Sequence, residues 1–386
     1  MSGIVLTASV RQNLLSLQST ADLLSTTQNR LATGNKVNSA LDNPTNFFTA
    51  QGLNNRASDI NNLLDSIGNG VQVLQAANTG ITSLQKLVDT AKSIANQVLQ
   101  APAGYTSKST ATSVAALGGT AANLVDGATI KSGETITFAT SGALPAITVT
   151  FAASESLDQL NTALAPANIT ASLDSGNKLV FTTTNDYASS TLGALTLGGT
   201  TGSATFGAVV APVADAASQT IRASLVKQYN DIITQISTTS QDASFNGINL
   251  LNGDNLKLTF NETGKSTLNV TGVTFNAAGL GLAALTSSDF LDNNSANGVL
   301  TKLGSASTTL RTEASALGSN LSVVQIRQDF NKNLISVLQT GSSSLTLADT
   351  NEEAANSQAL STRQSIAVSA LALANQSQQS VLRLLQ

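Results

Sequence analysis

The sequence predicts a mainly α-helical protein with a β-rich insert, an α+β arrangement. N- and C-terminal segments form a long antiparallel coiled-coil-like rod, and a small β-β-α-β-β domain stands off it. Three observations predict this. All five prolines (Pro44, Pro102, Pro145, Pro166 and Pro212) fall between positions 44 and 212, so both chain ends lack helix breakers. Apolar residues recur every seven positions along those ends. Between them the period falls to two, as half-buried strands require.

Taken in order, Val10, Leu17, Leu24 and Leu31 form the first seven-residue row, with Leu14 and Ala21 beside it. Asp42-Asn43-Pro44 reads as a cap followed by the first helical position, and Pro102 as a stop. Between them Leu53, Ile60, Ile67, Leu74, Ile81, Val88 and Ala95 make a sustained seam, with Leu63, Ala77, Leu84, Ala91 and Val98 alongside. A helix from about 45 to 101 follows, about 85 Å long at the usual rise per residue. Thr135 to Phe138 and Ile147 to Phe151 alternate as strands, and Ser156-Leu157-Asp158-Gln159 is a capping box opening a helix that Pro166 ends. Ile169 to Leu173, the turn Asp174 to Asn177 and Lys178 to Phe181 read as a hairpin.

After Pro212, residues 214 to about 239 form a helix with Ile221, Leu225, Tyr229, Ile232 and Ile236 on its buried face. Leu256 to Phe260, Leu268 to Val270 and Val273 to Phe275 are strands. A last seam runs through Leu310, Leu317, Val324, Leu338 and Leu345, with Asn331 as its polar exception and Leu321 and Ile335 alongside. The closing segment from Ser361 to Gln386 is helix-competent, with a wide apolar arc: Ile366, Ala370, Leu371, Leu373, Ala374, Val381, Leu384 and Leu385. These elements divide the chain into a terminal helix (1–40), a long helix (41–102), a surface insert (103–211), a region of helix, hairpins and second long helix (212–345), and a closing helix (346–386).

Both ends are nearly uncharged: Arg11 and Asp22 alone before residue 30, and Arg383 alone after 363. Helices apolar on several sides and short of charge are poorly content in isolation. They are expected to order by packing against copies of the same chain. The packing residues expected are Val10, Leu14, Leu17, Ala21, Leu24 and Leu31 at one end. At the other they are Ile366, Ala370, Leu373, Val381, Leu384 and Leu385. The plainer reading is a coiled coil within one chain that needs no further partner.

Composition removes whole chemistries. His and Cys are absent, so there is no His-based triad, thiolate nucleophile or ordinary zinc site. No D-x-D-x-D-G calcium run occurs, and a net charge of -4 without a basic stripe argues against nucleic acid. The expectation is a non-enzyme without catalytic residues, cofactor or metal. Glu262-Thr263-Gly264-Lys265-Ser266 resembles the end of a phosphate loop but has Thr259 where that loop needs Gly, so a hairpin turn is expected. Gly198 to Gly202 lacks a strand-then-helix setting and reads as a loop. Asp349, Glu352 and Glu353 open a helix, where carboxylates meet its positive end. The first residues lack a basic region followed by a long apolar core, so no cleaved signal peptide is expected. The apolar window from Ile366 to Ala374 is far short of the roughly 20 residues of a membrane span.

Several ordered motifs resemble bacterial flagellin, the filament subunit of the flagellum. Gln28-Asn29-Arg30-Leu31-Ala32-Thr33-Gly34-Asn35-Lys36-Val37-Asn38-Ser39-Ala40-Leu41-Asp42-Asn43 is similar to the family's E-R-L-S-S-G-x-R-I-N-S-A-x-D-D signature. Asn69 to Gln75, with Gly80 and Leu84, resembles the segment that follows. Phe245-Asn246-Gly247-Ile248-Asn249-Leu250-Leu251 matches the F-N-G-x-x-L-L hairpin, and Ser380 to Gln386 is similar to the V-L-S-L-L-R ending. Arg30, Gly34, Asn38 and Asp42 thus mark the signature loop, and Phe245, Asn246 and Gly247 the hairpin.

The resemblance implies a structural, motility-related helical homopolymer outside the cell. It implies export without a cleaved signal peptide and four kinds of partner: further copies of itself, an export chaperone, a filament cap protein and hook–filament junction proteins. Neither nucleic acid nor membrane is expected. The insert resembles the flagellin hook IN-type module, and it precedes the F-N-G hairpin where familiar relatives place theirs after it. Leu84-Gln85-Lys86-Leu87-Val88-Asp89-Thr90 departs from the L-Q-R-V-R-E-L pattern at Val88, which implies weak recognition by the innate flagellin receptor. A hook–filament junction protein and a secreted coiled-coil adhesin are the alternative readings.

Overall fold

A computed structural model describes residues 8–200 and 202–384. Among the described residues six α-helices and ten strands follow one another: α1 (Ala8–Thr33), α2 (Pro44–Gln100), β1 (Tyr105–Ser107), β2 (Thr110–Thr112), β3 (Glu134–Phe138), β4 (Ile147–Thr150), α3 (Leu157–Leu164), β5 (Ile169–Leu173), β6 (Leu179–Thr183), β7 (Leu195–Gly199), β8 (Val213–Ala214), α4 (Ala216–Asp242), β9 (Leu256–Thr259), β10 (Thr267–Val270), α5 (Asn293–Thr346) and α6 (Thr350–Leu384). The chain therefore combines long helices at both ends with a small β-rich insert.

Two compact units form. One draws on the chain up to Asn69, on Lys257–Leu268 and on the chain from Val323 onward. The other comprises Gly70–Leu256 and Asn269–Ser322.

Local chemistry sets the helix boundaries. Asn43 caps α2, its Oδ1 accepting from the Asn46 amide at 3.0 Å, with Pro44 in the first turn. At α3 the capping box is complete: Ser156 Oγ accepts from Gln159 N at 3.2 Å, and Gln159 Oε1 accepts from Ser156 N at 2.8 Å. Asp215 caps α4 and Asp292 caps α5, accepting from Ser218 N at 3.1 Å and Ser295 N at 3.0 Å. The seam of α2 is buried as its spacing requires. Leu74, Ala77, Ile81, Leu84, Val88, Ala91, Ala95 and Val98 are all shut off from solvent. On α5, Leu310, Leu317, Val324 and Leu338 are likewise buried. Asn331 is buried in the same row because it has a partner: its Nδ2 donates to the Phe260 carbonyl at 3.0 Å.

Beside Asn331, the hairpin between β9 and β10 closes on Asn261, whose carbonyl accepts from the Gly264 amide at 3.1 Å and whose Oδ1 accepts from the Ser266 amide at 2.9 Å, while Glu262 pairs with Arg56 at 2.8 Å. Glu262 to Ser266 is thus a turn between strands, with Gly264 at φ +70°. Phe245 to Ile248 closes as a two-residue turn with Asn246 and Gly247 at φ +50° and +80°, the conformation for which Asn-Gly is favoured. This turn follows directly on α4, whose last carbonyls, Ser240 and Gln241, accept from Asn249 Nδ2 at 2.9 and 2.8 Å. At Gly80 of α2 a Cβ would stand 2.6 Å from Ala243 Cβ and 2.7 Å from Leu251, so only glycine permits this approach.

Three expectations are corrected. On α4, Ile221 is half exposed and Ile232 only partly buried. The inward face instead carries Arg222, Leu225, Val226, Tyr229, Ile233 and Ile236, rotated to accommodate a buried arginine. Val273 to Phe275 forms no strand and meets Asn252 through a single bridge at Thr274. Gly198 and Gly199 end β7 rather than lying in a loop.

In the insert the expected first two strands and the expected hairpin each acquire a third strand from far along the chain. β3 lies between β4 and β7, and β6 between β2 and β5, all antiparallel. The insert has its own core of Phe138, Phe151, Leu160, Leu164, Leu179 and Phe181 with their neighbours.

Candidate assembly interface

Helices α1 and α6 pack against each other within one compact unit. The face of α1 turned inward carries Val10, Thr20 and Thr27, all buried, with Asn13, Leu17 and Leu24 half-buried between them. That is a seven-residue repeat, but its second row is Asn13, Thr20 and Thr27. Leu14 and Ala21 are not in it. Threonine can line such a seam because its hydroxyl turns back onto its own helix: Thr20 Oγ1 donates to the Ser16 carbonyl at 2.8 Å. The facing row of α6 is Glu353, buried, followed by Ser357, Leu360, Gln364, Ala367, Leu371 and Ala374, half-buried. Arg30 donates to Glu353 at 3.3 Å and anchors the base of the pair.

The consequence is a set of apolar side chains on the outside. Leu14 and Leu31 stand exposed, with Leu15 and Leu23 further round α1 at 65% and 52%. On α6, Ile366 and Leu373 are exposed at 63% and 70%, with Ala370 on the same row and Val368 nearby. For Val381 and Leu384 only the helical backbone is described, and Leu385 lies outside the described residues, as do the first seven residues of the chain. Thus Val10, Leu17 and Leu24 face the partner helix, Ala21 is intermediate, and Leu14, Leu31, Ile366, Ala370 and Leu373 face away.

The signature loop ties the two chain ends together. Gly34 ends α1 at φ +69°, where side chains are strained, and its carbonyl accepts from the Ala348 amide at 2.9 Å. Lys36 N donates to the Thr346 carbonyl at 2.8 Å, and Asn35 bridges Leu347. The connector from α1 to α2 is therefore stitched to the connector from α5 to α6. Asn38 braces it, donating through Nδ2 to the Asn35 carbonyl at 3.1 Å. Asp42 Oδ2 gathers the Asn38 and Ser39 amides at 2.9 and 2.8 Å and Ser39 Oγ at 3.1 Å.

These bonds, the Ser39 amide first and the Asn38 amide next, hold the Asp42 carboxyl below the ordinary 3.8. A depressed folded value means the carboxylate stabilises the loop fully above pH 3.8 and loses that effect as pH falls through its lower folded value. An NMR titration of Asp42 is expected to show a midpoint below 3.8. A midpoint at or above it contradicts this arrangement.

The carboxylates at the start of α6 divide their roles. Asp349 Oδ1 accepts from the Asn351 and Glu352 amides at 3.0 and 3.3 Å, capping the helix. The Arg30 partner of Glu353 was not legible from spacing, since 323 residues separate them. Phe245, Asn246 and Gly247 belong to the other compact unit and shape the turn after α4. Among the described residues no group of three or more acidic side chains is placed to hold a metal, and no helix is long and apolar enough to cross a membrane.

Against known proteins, the bacterial flagellin N-terminal helical region matches residues 5–117 and the bacterial flagellin C-terminal helical region residues 300–385, together just over half of the chain. Flagellin FljM of Caulobacter vibrioides is 32% identical over 162 residues, which is 42% of this chain and 58% of the relative. Flagellin FljK of the same organism is 32% identical with the same coverage. The match thus spans less than two thirds of the length of these relatives. Among solved structures, the D1-D2-D3 domains of the flagellar cap protein FliD from Escherichia coli cover 65% of this chain and 99% of that one at 15% identity. The TM-score there is 0.20, too low for the likeness to carry an argument.

Proposed function

This chain belongs to the bacterial flagellin family, and from that premise we propose that it is a structural, non-catalytic subunit that polymerises with copies of itself into an extracellular flagellar filament serving motility. The observation that carries the reading is the outward apolar row of the terminal pair. Leu15, Leu23, Ile366, Val368 and Leu373 are each more than half exposed, on stretches (8–29 and 364–384) whose only charges are Arg11, Asp22 and Arg383. Burying a side chain of this kind stabilises by roughly 1.5–3 kcal/mol. Neighbouring copies supply the burial, and a contact between unlike faces that does not close on itself propagates as a helix.

The packing set then divides by role. Val10, Leu17 and Leu24 hold α1 to α6, while Leu14, Leu31, Ile366, Ala370 and Leu373 meet neighbouring copies. The domain divisions at 40, 102, 211 and 345 follow the same logic, with the terminal helices innermost and the insert facing solvent. The further partners are an export chaperone that masks the C-terminal helix before secretion, a distal cap protein and the hook–filament junction proteins. A junction protein shares such terminal helices but is present in few copies, and the F-N-G-x-x-L-L hairpin favours the bulk subunit.

The test is regrowth. Filaments melted to monomers and cooled with short seeds are expected to elongate by electron microscopy, whereas chains lacking α1 or α6 are not. Normal elongation by either shortened chain overturns the role given to the ends.

A further inference from the structure

The insert leaves and rejoins the helices through β1 and β8, a ladder of two residue pairs with an irregular register between them. Two chain crossings close together define an axis, and so short a ladder resists rotation about it poorly. A further contact between the insert and the helices lies within the same compact unit. Ser189 Oγ donates to Asp292 Oδ2 at 2.5 Å, and Asn293 Nδ2 donates to Asp186 Oδ1 at 3.3 Å. Both acceptor and donor on the helical side sit at the start of α5, where Asp292 Oδ1 also caps the helix.

Behind this contact lies Arg222 of α4, only 1% exposed. Its guanidinium divides its donors between two distant segments: Nε to the Pro102 carbonyl at 3.0 Å, and Nη1 to the Phe290 carbonyl at 3.1 Å with Nη2 to Asn293 Oδ1 at 3.4 Å. Gln219, one turn earlier, donates to the Gly104 carbonyl at 2.8 Å, and the Asp215 amide reaches the same carbonyl at 2.9 Å. The end of α2, both linkers of the insert and the start of α5 therefore share one buried polar node.

We infer that this node is a latch that holds the insert in a single orientation on α4 and α5. Directional hydrogen bonds suit that task better than apolar contact, which tolerates sliding. A buried cation and carboxylate also penalise any docking that leaves them without their partners. The latch operates in the isolated chain and does not depend on polymerisation.

The chain has no cysteine, so Ser175→Cys in the exposed turn between β5 and β6 accepts one fluorescent dye. In the parent carrying this label, time-resolved anisotropy is expected to show the insert tumbling with the helices. Adding Asp186→Ala and Ser189→Ala is expected to bring in a faster rotational phase. Amide exchange at Asp215 should rise at least about 100-fold, as loss of two hydrogen bonds to carboxylates implies. Protection of the Phe181 amide should persist, showing that the insert itself remains folded. Arg222→Met gives a second route to the same result, and if that chain does not fold the double exchange decides alone. A double variant whose anisotropy and Asp215 exchange match the parent overturns the latch, as does a fast phase already present in the parent.

Discussion

A chain carrying Ile366→Asp and Leu373→Asp is expected to lose seeded filament growth while its monomer keeps its helical content and melting temperature. The two residues occupy one row of α6, 63% and 70% exposed, on the side turned away from α1. Two carboxylates there remain hydrated in the monomer and cost it little. In an apolar contact between copies each must be desolvated without a partner, a penalty of several kcal/mol per charge. Even about 3 kcal/mol raises the concentration needed for growth at least a hundredfold. Leu371→Asp is the informative contrast, since Leu371 lies half-buried in the row facing α1. That exchange should disturb the helix pair in the monomer as well. Undiminished elongation by the double variant on parental seeds would remove the outward row from the interface.

How much of this was legible beforehand depended on whether the signal was local. The caps at Asn43 and Ser156 and the α2 seam are decided by residues a few positions apart, and residue type and spacing located them, while the Asn246-Gly247 turn was legible through the family motif. The inner face of α1 was harder. A reading of apolar residues selects Leu14 and Ala21 for the second row, whereas Asn13, Thr20 and Thr27 occupy it. Threonine satisfies its own hydroxyl on the preceding turn and then packs through its methyl group, so it looks polar in sequence and behaves as half apolar in the seam. The outward leucines are the complement of that error.

The face of α4 was misjudged for a related reason. Arg222 is charged, so the pattern placed it outside, but three donors meeting carbonyl and amide oxygens make burial tolerable. The third strands of the two insert sheets were beyond reach altogether. β7 joins β3 and β2 joins β6 across separations of about 60–70 residues, and no short-range pattern encodes such pairings.

Phe181→Ala is expected to unfold the insert while leaving the long helices and polymerisation competence intact. Phe181 is fully buried on the central strand β6. Its ring meets Phe138 of the other sheet edge-on at 5.1 Å and Phe206 at 5.4 Å. Removing a ring so enclosed costs about 3–5 kcal/mol, much of the roughly 5–15 kcal/mol that holds a small domain together. The side chains of this core come from between Ala111 and Val209. None belongs to the buried seams of α2 or α5, so the loss has no packed route into them. Hydrogen exchange should show protection collapsing across β2 to β7 while Ile81 and Leu310 remain protected, and melted filaments of the variant should still regrow on seeds. The Arg222 node will lose its contacts with Asp186 and Ser189 but keep those with Pro102 and Phe290. An equal loss of protection in α2, or failure to elongate, would mean that the insert and helices fold as one cooperative body and that its core is not a separate source of stability.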